Sequence, residues 1–225
     1  MNILLFGPPG CGKGTQAGYI ASRFGITAIS TGDMFRAECR AGTDLGKLAC
    51  SILAKGGLVG DEIVNGMVAN RIARPDCANG FLLDGYPRTV PQAEFLANLL
   101  KERGLPNPAV VFLEVPDAAL VARLTARRQC PQCGHIYNLL TQPPQVEGIC
   151  DTDGAQLIRR DDDKEEVILD RLKAYHELTH PIKQYYCPSM CRWIDGNQAP
   201  AAVSKAIEES LSATVEDGSL MALFS

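Results

Sequence analysis

An α/β fold follows from three features of the sequence. First, an apolar run, Ile3-Leu4-Leu5-Phe6, passes directly into Gly7-Pro8-Pro9-Gly10-Cys11-Gly12-Lys13-Gly14-Thr15. Gly7, Gly12 and Lys13 have the spacing of a strand–loop–helix turn whose backbone N–H groups close around phosphate oxygens. Second, Phe81-Leu82-Leu83 ahead of Asp84, and Val110 to Val115, read as strands buried on both faces. Third, 225 residues suffice for one sizeable α/β core with room for small inserted domains.

Hydrophobic content is 46% and the formal net charge −4, both ordinary for a globular chain. No apolar stretch approaches the roughly 18 residues of a membrane span, and no basic leader precedes the first strand, so a soluble cytoplasmic protein without a membrane partner is expected. The lack of long basic runs argues against a nucleic-acid surface. There are nine cysteines, an odd number that a disulfide framework explains poorly. Cys130, Cys133 and Cys150 have ligand spacing; the other six are expected to pack as reduced, small hydrophobes in a reducing compartment.

Along the chain, Lys13 supplies a mobile point charge for terminal phosphates, and Gly14 displaces the usual hydroxyl to Thr15. The first helix ends near Gly25, and Thr27-Ala28-Ile29 is a short strand leading into Ser30-Thr31-Gly32-Asp33-Met34-Phe35-Arg36. There Thr31 offers a hydroxyl to a base or caps the next helix, Asp33 adds a carboxylate, and Arg36 can grip a phosphate bidentately. In isolation the same segment reads as a capped helix with a surface arginine. Residues 33 to 74 form three short helices broken at Gly42 and Gly56-Gly57. Asp84 stands at the C-terminal end of its strand, where open α/β sheets place ligands, and is a candidate to hold magnesium through water. Gly85 permits close nucleotide approach, Arg88 can clamp a phosphate, and the Gln92 amide, on the helix after Pro91, can read an adenine edge. A helix from about Asp117, a plausible N-cap, carries Arg123 and Arg127 four apart. On one face they would repel unless an anion bridged them.

The α/β rhythm then breaks. Cys130-Pro131-Gln132-Cys133-Gly134 and Cys150-Asp151-Thr152-Asp153-Gly154 are two knuckles with the geometry of a tetrahedral structural metal site. Asp153 is the expected fourth ligand and His135 the rival. Ile136-Tyr137-Asn138 between them should be a hairpin strand. Asp163 with Glu166 makes a capping-box-like helix start, after which Ile168, Leu172 and Tyr175 form a buried stripe with Arg171 beside it. His176 and His180 belong to a helix surface, and Cys187 and Cys191 pack. Arg192 to Gly196 is the last strand, and a helix from about Ala201 to Ala213 closes the fold.

The form Gly-x-Pro-Gly-x-Gly-Lys-Gly-Thr followed by Gln16 resembles the adenylate kinases and their nucleoside monophosphate kinase relatives. The segments Ser30 to Arg36, Asp84-Gly85-Tyr86-Pro87-Arg88, Arg160-x-Asp162-Asp163 and Arg171-Leu172-x-x-Tyr175-His176 extend the resemblance from about Asn2 to about Ser212. Cys-x2-Cys with Cys-x2-Asp is similar to the long lids of bacterial members. The resemblance implies a single P-loop kinase domain over 1–225, built on a five-stranded parallel sheet with helices on both faces. It carries two mobile insertions, an AMP-binding arm at 30–60 and a metal-braced lid at 126–163. The implied reaction is ATP + AMP ⇌ 2 ADP, which needs no general base because the attacking phosphate oxygen is already anionic.

By the same resemblance Gly10, Cys11, Gly12, Lys13, Gly14, Thr15, Arg127, Ile136, Tyr137 and Gln198 hold ATP. AMP is held by Thr31, Arg36, Gly57, Leu58, Val59, Gly85, Tyr86, Pro87, Arg88, Gln92, Arg160 and Arg171. Lys13, Arg88, Arg123, Arg160 and Arg171 act in catalysis, Asp33 and Asp84 hold Mg2+ through its waters, and Cys130, Cys133, Cys150 and Asp153 take a structural Zn2+. Tyr86 stands where the family usually has Phe, a change expected to matter little. A monomer is expected, with no nucleic-acid or membrane partner. Two rivals remain. A UMP/CMP kinase is disfavoured by Thr31, residues 57 to 59 and Gln92, and a zinc-ribbon nucleic-acid-binding P-loop ATPase by the acidic balance.

Overall fold

The computed structural model describes residues 1–186 and 191–216, with side chains through residue 212 in the last helix. Among the described residues seven strands run in chain order: β1 Ile3–Phe6, β2 Thr27–Ser30, β3 Phe81–Asp84, β4 Ala109–Glu114, β5 Arg127–Gln129, β6 Ile136–Asn138 and β7 Cys191–Asp195. Five of them form one parallel sheet in the order β2-β3-β1-β4-β7, while β5 and β6 pair antiparallel apart from it. The expected five-stranded parallel sheet is therefore present.

Period-two side-chain alternation builds two cores from one strand. Ile3 and Leu5 face a layer made by α1 (Lys13–Phe24), α6 (Asp117–Thr125), α7 (Glu165–Ala174) and α9 (Pro200–Glu216), with Ile20, Leu124, Ile168 and Ile207 buried there. Leu4 and Phe6 face the opposite layer, where α4 (Asp61–Ile72), α5 (Val90–Glu102) and α8 (Ile182–Tyr185) contribute Val68, Leu96 and Ile182. Because β1 pairs with β3 on one side and β4 on the other, the chain reverses its winding direction at β1. The loop leaving β1 opens at that switch point, the place where such sheets admit ligands. Registers Leu5↔Asp84 and Ser30↔Asp84 bring the ends of β1, β2 and β3 to the same sheet edge.

The three expected helices after β2 are α2 (Thr31–Ala41), α3 (Asp44–Leu53) and α4. Here the reading of the cysteines needs correction. Cys39 and Cys50 do not merely pack but are joined as a disulfide, with Cα atoms 5.8 Å apart. Helices α2 and α3 approach this closely because Gly46 has no side chain; a Cβ there would lie 2.1 Å from the Glu38 carbonyl oxygen. Cys187 and the tail beyond residue 216 lie outside the described residues.

Three further expectations are revised. Helix α6 ends at Thr125, and Arg127 lies in β5, so Arg123 and Arg127 do not share a helix face. The chain leaves the helix at Ala126 because β5 finds backbone partners in β6. Asp117 is inside the first turn, not the N-cap, with its carboxylate 3.1 Å from His176 Nε2. Asp163 caps nothing: it sits in a short 3-10 turn, fully buried, and α7 starts without a side-chain cap. Two guanidinium groups claim its oxygens instead, as described below. Among the described residues no helix is long and apolar enough to cross a membrane.

Candidate active site

The loop after β1 ends at Gly12, whose φ of 101° is left-handed, and α1 begins at Lys13 with no side-chain cap and no acidic residue in its first turn. Its leading N–H groups are thus left for an external anion. Lys13 folds back, its Nζ donating to the carbonyls of Gly7 (2.7 Å) and Pro8 (3.0 Å). The Cys11 thiol is buried beneath the loop, and burial raises it above its ordinary value against the pull of Lys13.

A cleft of about 600 Å³ opens from this loop, and Arg36, Arg88, Arg123, Arg127, Arg160 and Arg171 all line it. Six guanidinium groups around one cleft are mutually repulsive, and five of them have a full local answer. Arg127 donates to both oxygens of Asp163, from Nε at 2.7 Å and Nη2 at 2.5 Å. Arg171 donates to Asp163 Oδ1 at 3.1 Å and pairs with Asp162 at 2.9 Å. Arg123 donates to the Gly196 carbonyl and the Asn197 side chain, Arg88 to the Gly85 carbonyl, and Arg36 to Asp33.

Arg160 is the exception. Its Nε donates to Gln129 Oε1 at 2.6 Å, yet its Nη2 is buried without a hydrogen-bond partner. Burial and the neighbouring Arg127 and Arg36 charges weaken its hold on its proton. Burial likewise lowers Arg88, with Arg171 adding to the effect. A buried donor without an acceptor is costly, and an anionic oxygen in the cleft would relieve it.

The carboxylates respond oppositely. Burial would raise Asp33, but Arg36, with Arg160 and Ser30, holds it below its ordinary value. Burial at the floor of the cleft dominates at Asp84 and raises it, against Lys13 and Arg88. The cap of α2 is Ser30, whose hydroxyl accepts from the Asp33 N–H, leaving Thr31 Oγ1 to donate to the Gly85 carbonyl at 2.9 Å. Of the two roles open to Thr31, capping therefore falls to its neighbour.

A second, smaller pocket adjoins the cleft, and Gly85 and Arg88 line both. Its other walls include Thr31, Gly57, Leu58, Val59 and Gln92. Gly85 has φ 81°, and a Cβ there would lie 3.0 Å from Thr31 Oγ1, so a side chain would intrude where the pockets meet. Tyr86 is 1% exposed, and its hydroxyl donates to Asn65 Oδ1 at 2.6 Å and approaches the Gln92 carbonyl at 3.2 Å. The extra oxygen relative to Phe thus has structural work, contrary to expectation. The Tyr86–Pro87 peptide bond is cis.

Beyond β5 and β6, the side-chain oxygens and sulfurs of Cys130, Cys133, Cys150 and Asp153 all lie within 4.8 Å of one another. Cys133 Sγ is 3.6 Å from Cys150 Sγ, close to the edge of a tetrahedron with metal–sulfur bonds of about 2.3 Å. The donor set fits a closed four-coordinate site. His135 is not in the cluster; its ring packs on Tyr137, 4.6 Å between centroids. The Asp153 carboxyl is held low by the Ala155 N–H and the Cys130 thiol, against burial. Ile136, Tyr137 and Gln198 border the cleft, but the Tyr137 hydroxyl is committed inward, 3.5 Å from Cys150 Sγ and accepting the Asp151 N–H.

Several residues of the site carry no motif signal: Asp61, Gln129, Thr179 and Asn197. Thr179, in a π-helical turn over Tyr175–Thr179, donates to the Arg88 carbonyl at 3.1 Å. Only the folding of distant segments onto Arg88, Gln92, Arg123 and Arg160 brings these partners in.

The switch-point loop, arginine-lined cleft and paired pockets define a P-loop nucleotide phosphotransferase. The adenylate kinase family model matches residues 5–190. An adenylate kinase of Carboxydothermus hydrogenoformans is 50% identical over 212 residues, covering 94% of this chain and 99% of the relative. Those of Trichlorobacter lovleyi and Oceanobacillus iheyensis are 51% and 52% identical, covering 83% of this chain and 87% and 86% of theirs. The chain belongs to the adenylate kinase family.

Proposed function

We propose that the protein transfers the terminal phosphoryl group of ATP reversibly to AMP, giving two ADP. The observation that carries this reading is the unpartnered Arg160 Nη2, buried in a cleft that shares Gly85 and Arg88 with a smaller adjoining pocket. In this reading ATP occupies the larger cleft, with its phosphates on the loop 10–15 and its adenosine toward Ile136, Tyr137 and Gln198. AMP occupies the smaller pocket, with its base among Thr31, residues 57–59 and Gln92 and its phosphate toward Arg36 and Arg88.

Lys13 exchanges the Gly7 and Pro8 carbonyls for phosphate oxygens, while Arg88, Arg123, Arg160 and Arg171 stabilise charge on the transferring group. Asp33 and Asp84 would hold magnesium bound with ATP through its waters, and the ion would supply charge withdrawal from the outer phosphates. Burial raises the Asp84 carboxyl above its ordinary value, and a cation's hydration shell nearby would favour its charged form. Residues 30–60 and 126–163 close over the nucleotides as arm and lid, excluding water that would otherwise take the phosphoryl group. Cys130, Cys133, Cys150 and Asp153 would hold a structural zinc ion, which would brace the lid. The protein acts as a monomer in the cytoplasm.

The test is a coupled assay of ADP formation with AMP, CMP and UMP as acceptors. AMP should be favoured, and Arg88→Ala should lower turnover about 10²- to 10³-fold. Equal efficiency with CMP would make the protein a UMP/CMP kinase, and unchanged turnover in Arg88→Ala would remove that residue from the mechanism.

A further inference from the structure

Gln92 is 2% exposed, and both ends of its amide are occupied. Its Oε1 accepts the Arg88 backbone N–H at 2.7 Å, and its Nε2 donates to Asp61 Oδ1 at 2.7 Å. The second Asp61 oxygen accepts from Thr89 Oγ1 at 2.9 Å, so the carboxylate is itself held in place. Thr89 in turn caps α5 by accepting the Gln92 N–H at 3.3 Å.

This arrangement fixes more than position. A primary amide is nearly symmetric in shape, and only its hydrogen bonds decide which end carries oxygen. The Arg88 N–H can only donate and the Asp61 carboxylate only accept. Turning the amide over would set two donors against each other at one end and two acceptors at the other. One N–H of Nε2 and one lone pair of Oε1 are left for the pocket that Gln92 lines. Their order suits adenine, which presents a ring nitrogen acceptor beside an amino donor. Guanine presents the reverse, a ring N–H donor beside a carbonyl, and would require the amide turned over.

We infer that Asp61 is a positioning residue that locks the Gln92 amide in one orientation and thereby selects adenine over guanine monophosphate. This rests on the reading that the pocket formed by Thr31, residues 57–59 and Gln92 holds the acceptor base.

The experiment measures kcat and KM for AMP and GMP in the wild type, Asp61→Asn, Gln92→Leu and the double variant. Asparagine keeps the shape of Asp61 but can turn its own amide to donate, which removes one of the two constraints on Gln92 and leaves only the Arg88 N–H to oppose the turned amide. The AMP:GMP ratio of kcat/KM should fall about 10-fold or more in Asp61→Asn, through KM more than kcat, and the double variant should be no less selective than Gln92→Leu. If Gln92→Leu destroys selectivity while Asp61→Asn preserves it, the role of Asp61 is overturned and the base pocket stands. If Gln92→Leu leaves the ratio intact, the base-pocket reading fails. Equal loss of kcat/KM with both acceptors in Asp61→Asn marks Asp61 as structural and overturns the inference. Asp61→Ala gives the same readings should Asp61→Asn not accumulate as folded protein.

Discussion

Arg127 and Asp163 meet in a two-pronged ion pair in which the carboxylate is wholly buried and the arginine side chain 15% exposed. Arg127 opens β5 and Asp163 precedes α7, so the pair ties the start of the small antiparallel ribbon to the segment after it. Arg171 shares Asp163 Oδ1, making one carboxylate the anchor for two cleft arginines. Replacing Asp163 by Ala leaves two largely, not fully, buried cations short of an acceptor, a loss of about 3 kcal/mol. Thermal unfolding of Asp163→Ala should show a melting temperature lower by roughly 10 °C; an unchanged midpoint would show that the pair carries no stability.

Arg160 should behave oppositely. Its unpartnered Nη2 is a cost that the ligand-free fold bears for binding. Arg160→Met is expected to melt no lower than the wild type without nucleotide, yet to gain much less melting temperature on adding ADP and to turn over far more slowly. A melting temperature well below wild type in the ligand-free variant would count against this trade-off.

Acid should weaken the protein through Asp162. Burial would raise its carboxyl, but Arg171, Arg127 and Arg36 hold it below its ordinary value. The folded state therefore binds a proton less readily than the unfolded chain. Its stabilisation is complete above the unfolded value of about 4 and is lost as pH falls through the lower folded value. Asp162→Asn should be less stable than wild type at pH 7, by about 1–3 kcal/mol, and the gap should narrow below about pH 4. A gap independent of pH would assign the loss to shape instead of charge.

The metal site should be structural. Four protein ligands close a tetrahedron and leave no position for substrate, and the core beside them is small: Cys130, Tyr137, Cys150 and Leu157. Stripping the metal, or replacing Cys130 and Cys133 by Ser, should lower the melting temperature while phosphoryl transfer persists at low temperature. Magnesium alone should not restore stability, because it prefers six oxygen ligands. A fully folded, metal-free sample without turnover would overturn this assignment.

Tyr86→Phe should cost about 1–2 kcal/mol in chemical unfolding, since it leaves the Asn65 acceptor without its buried donor. No loss would show that water replaces the hydroxyl.

Much was legible in the sequence by itself. Glycine spacing, short apolar strands and paired knuckles are local signals, because a phosphate loop, a buried strand and a thiolate turn each need only neighbouring residues to declare their geometry. They sufficed for the buried strands, the loop at 7–15, the three short helices after β2 and the cysteine cluster, while the five-stranded parallel sheet followed from the family resemblance. What tertiary structure decided is how polar groups far apart in the chain share partners. The run Asp161-Asp162-Asp163 does not say which carboxylate turns inward, and only the 3-10 turn beside β5 gives Asp163 to Arg127 in place of a helix cap. Helix periodicity put Arg127 one turn beyond Arg123, but pairing of β5 with β6 took it off the helix. Cys39 and Cys50 meet because Gly46 lets two helices touch, and Asp61 reaches Gln92 because α4 and α5 pack side by side. Such pairings depend on long-range packing, which sets distances that no local spacing encodes.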